Sequence, residues 1–489
     1  MILGETTALC GVCKRSVGAK VVARDGQVYL HKHCDLHGES EALIERSLDW
    51  YQRTMGFAPE LTPPVGARPE VRGCPFDCGP CTSHEQQSLL PIVPITSACN
   101  LDCPICYTHN RNDGAYHMSE AELLAVIGHI AAQDPERRII NLTGGEPTQH
   151  PQFERLVELC VEHGIHRITI STHGLRFLKD EALLARLAAL DARVVLSFDS
   201  FRPETNAAML GGRLLEGKLR VLDLLEKYNV STTLLPVLAK GVNSDELGAL
   251  VRLALERPFI RSLELHTMTF TGQSGAQFDK AARYTPSEVL RDLEAQTDGL
   301  LRASDFVPSP AAHPLCYQVT YLLKTQEREW TPFPRFMAPA ELRAMLAGGL
   351  YLEPSARMEE TLTDVIQRLW SGELSCAPGA ASTDDVLRAL RKVLDESFDP
   401  RSDALTRLRA SERSAKAIYV HSHMDEDTFD TDRIRQCCVG IREPDGRNIP
   451  SCAYNVLYRE RDPRFTGQAA APPLVTLGVG RRGRARAEP

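Results

Sequence analysis

The chain has 489 residues, 43% hydrophobic and 25% charged, with a formal net charge of -8. That is ordinary globular composition, long enough for about three domains and able to bury a real core. The acidic balance argues against nucleic-acid binding as the main task, because phosphate-binding domains are usually basic. No apolar run approaches the roughly 20 residues of a membrane span, and residues 1–10 lack the charged and apolar regions of a secretory signal. The expected location is cytoplasmic, with peripheral membrane contact left open.

Fifteen cysteines are the informative count. In a reducing compartment such numbers point to metal ligands rather than disulfides. Residues 1–72 read as a small separate module. It carries Cys10-x2-Cys13 and Cys34-x2-His37, a spacing that suits a tetrahedral mononuclear ion, either zinc or a rubredoxin-like iron. His31 and His33 are alternative fourth ligands. A module of this size rarely folds without such a staple. A Pro- and Gly-containing linker (61–73) leads into an auxiliary segment, 73–90, with Cys74, Cys78 and Cys81.

From 91 to 300 strand-like and helical patterns alternate. Strands are predicted at 91–96, 138–143, 167–172, 194–199, 232–238 and 262–268. Ser119 and Glu122 form a capping box ahead of the first helix. In the second helix Phe153, Leu156, Val157, Cys160 and Val161 share one face, and the helix ends near Gly164; Cys160 is expected in the core. Such repeats mean a parallel sheet. Six are too few for a closed eight-stranded barrel, so the fold class is α/β, an open partial (β/α)6 barrel. Residues 301–463 are mixed, with short helices, Cys316, and a second cysteine group at Cys437, Cys438 and Cys452. Pro332 to Met337 is a candidate lining for an apolar substrate tunnel. Cys376 has no assigned role, and the tail 464–489 reads as disordered.

The loop after the first strand holds Cys99-x3-Cys103-x2-Cys106, followed by Tyr107. Three thiolates on one loop can hold three corners of a [4Fe–4S] cube and leave the fourth iron open to a small molecule. A zinc site completed by His109 is the alternative. After the second strand comes Thr143-Gly144-Gly145-Glu146-Pro147. Its glycines permit close backbone approach, and its carboxylate can accept from an ammonium. Ser171-Thr172-His173-Gly174 ends the third strand, Ser197 and Asp199 the fourth, and His266, Thr267 and Gln273 the sixth, on the substrate side.

Cys99, Cys103 and Cys106, with Gly144 to Pro147 one strand later, resemble the signature of radical S-adenosylmethionine (SAM) enzymes. The resemblance implies an iron–sulfur cluster on the three cysteines and SAM bound by Tyr107, Gly144, Gly145, Glu146, Pro147, Ser197 and Asp199. His173 stands where many relatives carry asparagine. The layout of small metal module, Cys74 triplet, Cys99 triplet and Cys437–Cys438…Cys452 resembles the group of the archaeal tetraether lipid synthase, formerly described as a dihydropterin methyltransferase. That resemblance implies two auxiliary [4Fe–4S] clusters on Cys74, Cys78, Cys81, Cys316, Cys437, Cys438 and Cys452, their partition unread, and an external electron donor such as ferredoxin or flavodoxin. It implies carbon–carbon coupling of lipid chains. Methylation of a pterin-like molecule and peptide modification are the alternatives.

Overall fold

The first 45 residues form four antiparallel strands, the middle two with alternating burial, in a computed structural model that describes residues 1–108, 115–134 and 138–466. His109 and the tail beyond residue 466 lie outside the described residues. The strands β1 (Ile2–Leu9), β2 (Ser16–Arg24), β3 (Gln27–Cys34) and β4 (Gly38–Glu45) pair in chain order. Helix α1 (Leu48–Met55) follows, its first turn capped by the Ser47 side chain, which accepts from the Trp50 N–H. Val28, Leu30, Trp50 and Tyr51 join the main core. The buried Lys32 fastens this sheet to the rest of the chain, donating to the carbonyls of Leu9 and Asp427 at 3.0 and 2.7 Å. An ammonium taken out of water is tolerable only with such partners.

The predicted strand–helix run is present. Strands β5 (Leu90–Thr96), β6 (Ile139–Gly144), β7 (Arg167–Thr172), β8 (Arg193–Ser197), β9 (Thr232–Leu235), β10 (Val237–Leu238) and β11 (Ile260–Thr267) alternate with α2 (Glu120–Gln133), α3 (Phe153–Glu162), α4 (Glu181–Ala189), α5 (Pro203–Leu210), α6 (Leu215–Lys227) and α7 (Leu247–Glu256). β5, β6, β7, β8, β9 and β11 lie side by side, all parallel. The 232–238 strand is broken at Pro236, which has no N–H to give to a ladder. The Ser119–Glu122 capping box forms as read. Cys160 is fully buried on α3, but Val161 is 40% exposed and Leu159 takes its place inside. At 100° per residue Val161 falls at the margin of the stripe set by Phe153, Leu156 and Cys160.

Downstream lie β12 (Val307–Pro308), β13 (Tyr317–Lys324), β14 (Trp330–Pro332), β15 (Ala415–His421), β16 (Val439–Arg442) and β17 (Asn448–Pro450). β15 adds in parallel to β11, and β16 adds in parallel to β5. The parallel run therefore gains one strand at each edge from the C-terminal part of the chain. β13 pairs antiparallel with β15, and β17 with β16. Between β14 and β15 the helices Ala356–Ser371 and Thr383–Ser397 pack a second core. Phe333, Phe336 and Met337 are buried in that core and do not line the central cavity. The tunnel lining expected of this stretch is thus corrected to core packing, where each such side chain contributes about 1.5–3 kcal/mol of burial. No helix among the described residues is long and apolar enough to cross a membrane.

Candidate active site

The loop carrying Cys99, Cys103 and Cys106 leaves the C-terminal end of β5, the face on which parallel barrels gather their functional loops. The turn after β6 lies directly on it. Gly145 N–H donates to the Thr96 carbonyl at 2.8 Å, and Glu146 N–H donates to the Ala98 carbonyl at 2.7 Å. A Cβ on Gly144 would stand 2.0 Å from the Thr96 oxygen, and one on Gly145 2.2 Å from the Ala98 oxygen. Gly144 also holds a φ of +141°. These glycines are therefore required by backbone-on-backbone contact with the cysteine loop.

Glu146 is buried and serves the same junction. Its Oε1 accepts from the Thr148 N–H, the Thr148 hydroxyl and the Thr172 hydroxyl, and its Oε2 from the His173 N–H at 2.9 Å. Pro147 begins a 3-10 turn and does not line the cavity. His173 Nδ1 accepts from the Leu175 N–H at 3.1 Å, so the Nε2–H donates, to Asn100 Oδ1 at 2.7 Å. Burial outweighs the neighbouring Glu146 and depresses the His173 pKa, which keeps the ring neutral. A histidine at this position thus ties the third strand's turn to the cysteine loop.

The thiols face into a cavity lined by Gly144, Gly145, Ser197, Lys218 and Thr267 as well. Burial raises the Cys99 thiol to about 11 and Cys103 to about 12. Metal must displace these protons, so ligation is favoured as pH rises. Lys218, 1% exposed, donates to the Ser197 carbonyl at 2.7 Å and to the Ser197 hydroxyl at 2.9 Å. Asp199 does not line the cavity. Its Oδ1 accepts from the Val237 N–H, and its Oδ2 has no hydrogen-bond partner among the described residues. The sequence reading did not single out Lys218. Its signal was there: in α6 it stands on the apolar stripe of Val221, Leu222 and Leu225. Gln273 does not line the cavity; its amide donates to Asp102 at 2.6 Å.

The opposite wall comes from β11, β13 and β15. Glu264, His266, Thr269, Tyr317, His421 and His423 all line it. Burial pushes His421 down to about 4. Burial works against the Glu264 carboxylate, but His266 and His421 more than offset it and hold it well below the usual range. The rest of the lining mixes apolar Leu90, Ile92, Ile105, Val195 and Leu235 with polar Asn141, Thr143 and Ser171.

Beyond His423, Cys316, Cys437, Cys438 and Cys452 line one smaller cavity. Cys78 is buried, and the neighbouring Cys74 and Cys81 add to burial in raising its thiol. The two groups are joined through the backbone, His84 Nε2 standing 3.0 Å from the Cys437 carbonyl oxygen. Burial raises Cys74 and Cys437 to about 12. Arg433 reaches Cys316 Sγ at 3.5 Å and counters thiolate charge there.

In the N-terminal module Cys10, Cys13, Cys34 and His37 bring their ligand atoms within 4.8 Å of one another. Cys10 Sγ and Cys34 Sγ each stand 3.5 Å from His37 Nδ1. His31 and His33 instead contact Glu39 on the surface. Cys10→Ala is expected to lower the melting temperature by about 5–10 °C in anaerobic calorimetry, since metal affinity is folding free energy. Acid-labile sulfide, which counts the clusters, should stay at wild-type level.

Residues 93–254 match the family model of the radical SAM superfamily, and residues 2–46 match that of the HMPTM N-terminal zinc ribbon domain. Among curated relatives, the 7,8-dihydro-6-hydroxymethylpterin dimethyltransferase of Methanocaldococcus jannaschii is 25% identical over 93% of this chain and 94% of its own. The GTP 3',8-cyclase of Chlorobaculum tepidum is 30% identical over 41% of this chain and 59% of its own. Among solved structures, Streptococcus suis SuiB bound to its precursor peptide SuiA is 20% identical, with a TM-score of 0.36 over 44% of this chain and 46% of that one.

Proposed function

Since the chain belongs to the radical SAM superfamily, we propose that it abstracts hydrogen from unactivated alkyl carbons and couples lipid chains by carbon–carbon bond formation. The enzyme uses a [4Fe–4S] cluster and SAM, as the superfamily does. Cys99, Cys103 and Cys106 are the residues that would hold that cluster. When bound, the pair supplies a 5′-deoxyadenosyl radical able to attack a carbon that no side chain could activate.

The observation that carries the lipid reading is the group of apolar side chains, Leu90, Ile92, Ile105, Val195 and Leu235, in the lining of the cavity that the three cysteines share. Alkyl chains are recognised by burial against apolar side chains, which also exclude water from a reactive intermediate. The glycine-bearing turn fixes the cysteine loop. Lys218 offers the buried positive charge that the SAM carboxylate needs. Cys74, Cys78, Cys81, Cys316, Cys437, Cys438 and Cys452 are read as the ligands of two auxiliary [4Fe–4S] clusters that pass electrons between donor and cavity. The N-terminal site with Cys10, Cys13, Cys34 and His37 is read as structural zinc.

A second reading, methylation of a pterin-like molecule, is favoured by the likeness to the Methanocaldococcus jannaschii dihydropterin dimethyltransferase, which aligns along nearly the whole chain. One incubation separates the two. Reconstituted enzyme, reductant and SAM are supplied with a membrane lipid extract or with a dihydropterin, and the products are read by mass spectrometry. Lipid coupling removes two hydrogens per new bond. A pterin gaining methyl mass, with lipids unchanged, would sink the lipid reading.

Lys218→Met is expected to raise KM for SAM about 10- to 100-fold, the worth of one hydrogen bond to a charged group. Cluster content should not change. An unaltered KM would remove Lys218 from SAM binding.

A further inference from the structure

Strand pairing sets four metal-binding side chains together on one wall of the cavity. β11 and β15 are parallel, with His266 opposite His421. Side chains two apart on a strand share a face, so Glu264 accompanies His266. His423 lies two residues beyond His421, and all four line the same cavity. Tyr317, paired with His421 across β13, stacks flat on its ring at 3.7 Å and fixes its orientation.

The acceptor atoms converge. Glu264 Oε1 is 2.9 Å from His266 Nε2 and 3.6 Å from His421 Nδ1, and the two ring nitrogens are 3.3 Å apart. Donors bound to one first-row ion at about 2.0–2.2 Å stand roughly 3.0–3.6 Å from each other. The observed triangle has those edges. A single imidazole proton bridges one such edge well, whereas one cation bridges all three. His423 adds a third imidazole, with ligand atoms of the three histidines within 4.8 Å of one another. Its ring lies 4.1 Å from that of His421. His423 Nδ1 is also 3.5 Å from Cys452 Sγ, so this residue is near both this cluster of donors and the auxiliary cysteines.

We propose that Glu264, His266 and His421 hold one divalent first-row transition-metal ion in this cavity wall, with His423 as the neighbouring imidazole. The donor set is imidazole and carboxylate with no thiolate, which suits zinc or ferrous iron and differs in kind from the N-terminal Cys3His site and from every cysteine cluster. The site does not depend on which substrate the cavity takes.

A stoichiometric count tests it. Full-length enzyme is reconstituted anaerobically with iron, sulfide and zinc, then gel-filtered. Each [4Fe–4S] cluster holds equal iron and labile sulfide, so iron plus zinc in excess of sulfide counts mononuclear ions. The expected excess is about two per chain in the wild type, one at Cys10–His37 and one at the histidines. In His266→Ala and in His421→Asn it should fall to about one, with sulfide unchanged. A wild-type excess of about one overturns the proposal, and so does an excess that survives in both variants. Should either variant lose sulfide through misfolding, the wild-type count still decides.

Discussion

Cys99→Ala should reduce 5′-deoxyadenosine formation to below about one part in a thousand of wild type, measured by liquid chromatography of anaerobic reactions. Cys99 is buried at the root of the loop, just after the β5 end that the Gly145 turn clamps. In the proposed cluster, loss of one of three thiolates leaves two irons without protein ligands. Iron and sulfide should each fall by about four per chain, from about 12. The fold should persist, because the strand core of Val93, Ile95, Ile140 and Leu142 does not involve the thiol.

Gly145→Ala is the second large effect, and here the chemistry of every ligand is untouched. The new methyl carbon would meet the Ala98 carbonyl oxygen at 2.2 Å and the Ser97 oxygen at 2.9 Å. Both contacts are backbone, so no rotamer relieves them. The cysteine loop or the β6 turn must shift by about 1 Å, enough to cost on the order of 100-fold in rate through misplacement alone. Overpacking of this kind also destabilises by about 1–3 kcal/mol. The expected result is SAM cleavage down about 100-fold with all three cysteines present. An alanine variant as active as wild type would show that the turn does not position the loop.

How far the sequence could be read follows from how local each feature is. Cys99, Cys103 and Cys106 sit on one loop, and Gly144 to Pro147 on the next, so spacing and strand order were enough to expect them together. The capping box of Ser119 and Glu122 and the burial of Cys160 were legible for the same reason. The role of the glycines was less so: spacing indicates close approach, but only the structure identifies the partner as the cysteine loop. The facing wall was hidden. His266 was noted at a strand end, but His421 lies 155 residues away, and no alternation marks β15 as a strand of the same sheet. The 333–337 aromatics misled because apolar residues in a core and in a tunnel look alike until the layer above them is known. Lys218 was missed although a lone cation on an apolar helix face is a local signal.

The most direct test of the account is reductive cleavage of SAM by the reconstituted full-length enzyme without added substrate. With sulfide at full occupancy and dithionite as electron source, 5′-deoxyadenosine and methionine should accumulate in equal amounts and depend on reductant. Intact SAM under those conditions, with the clusters verified, would contradict it.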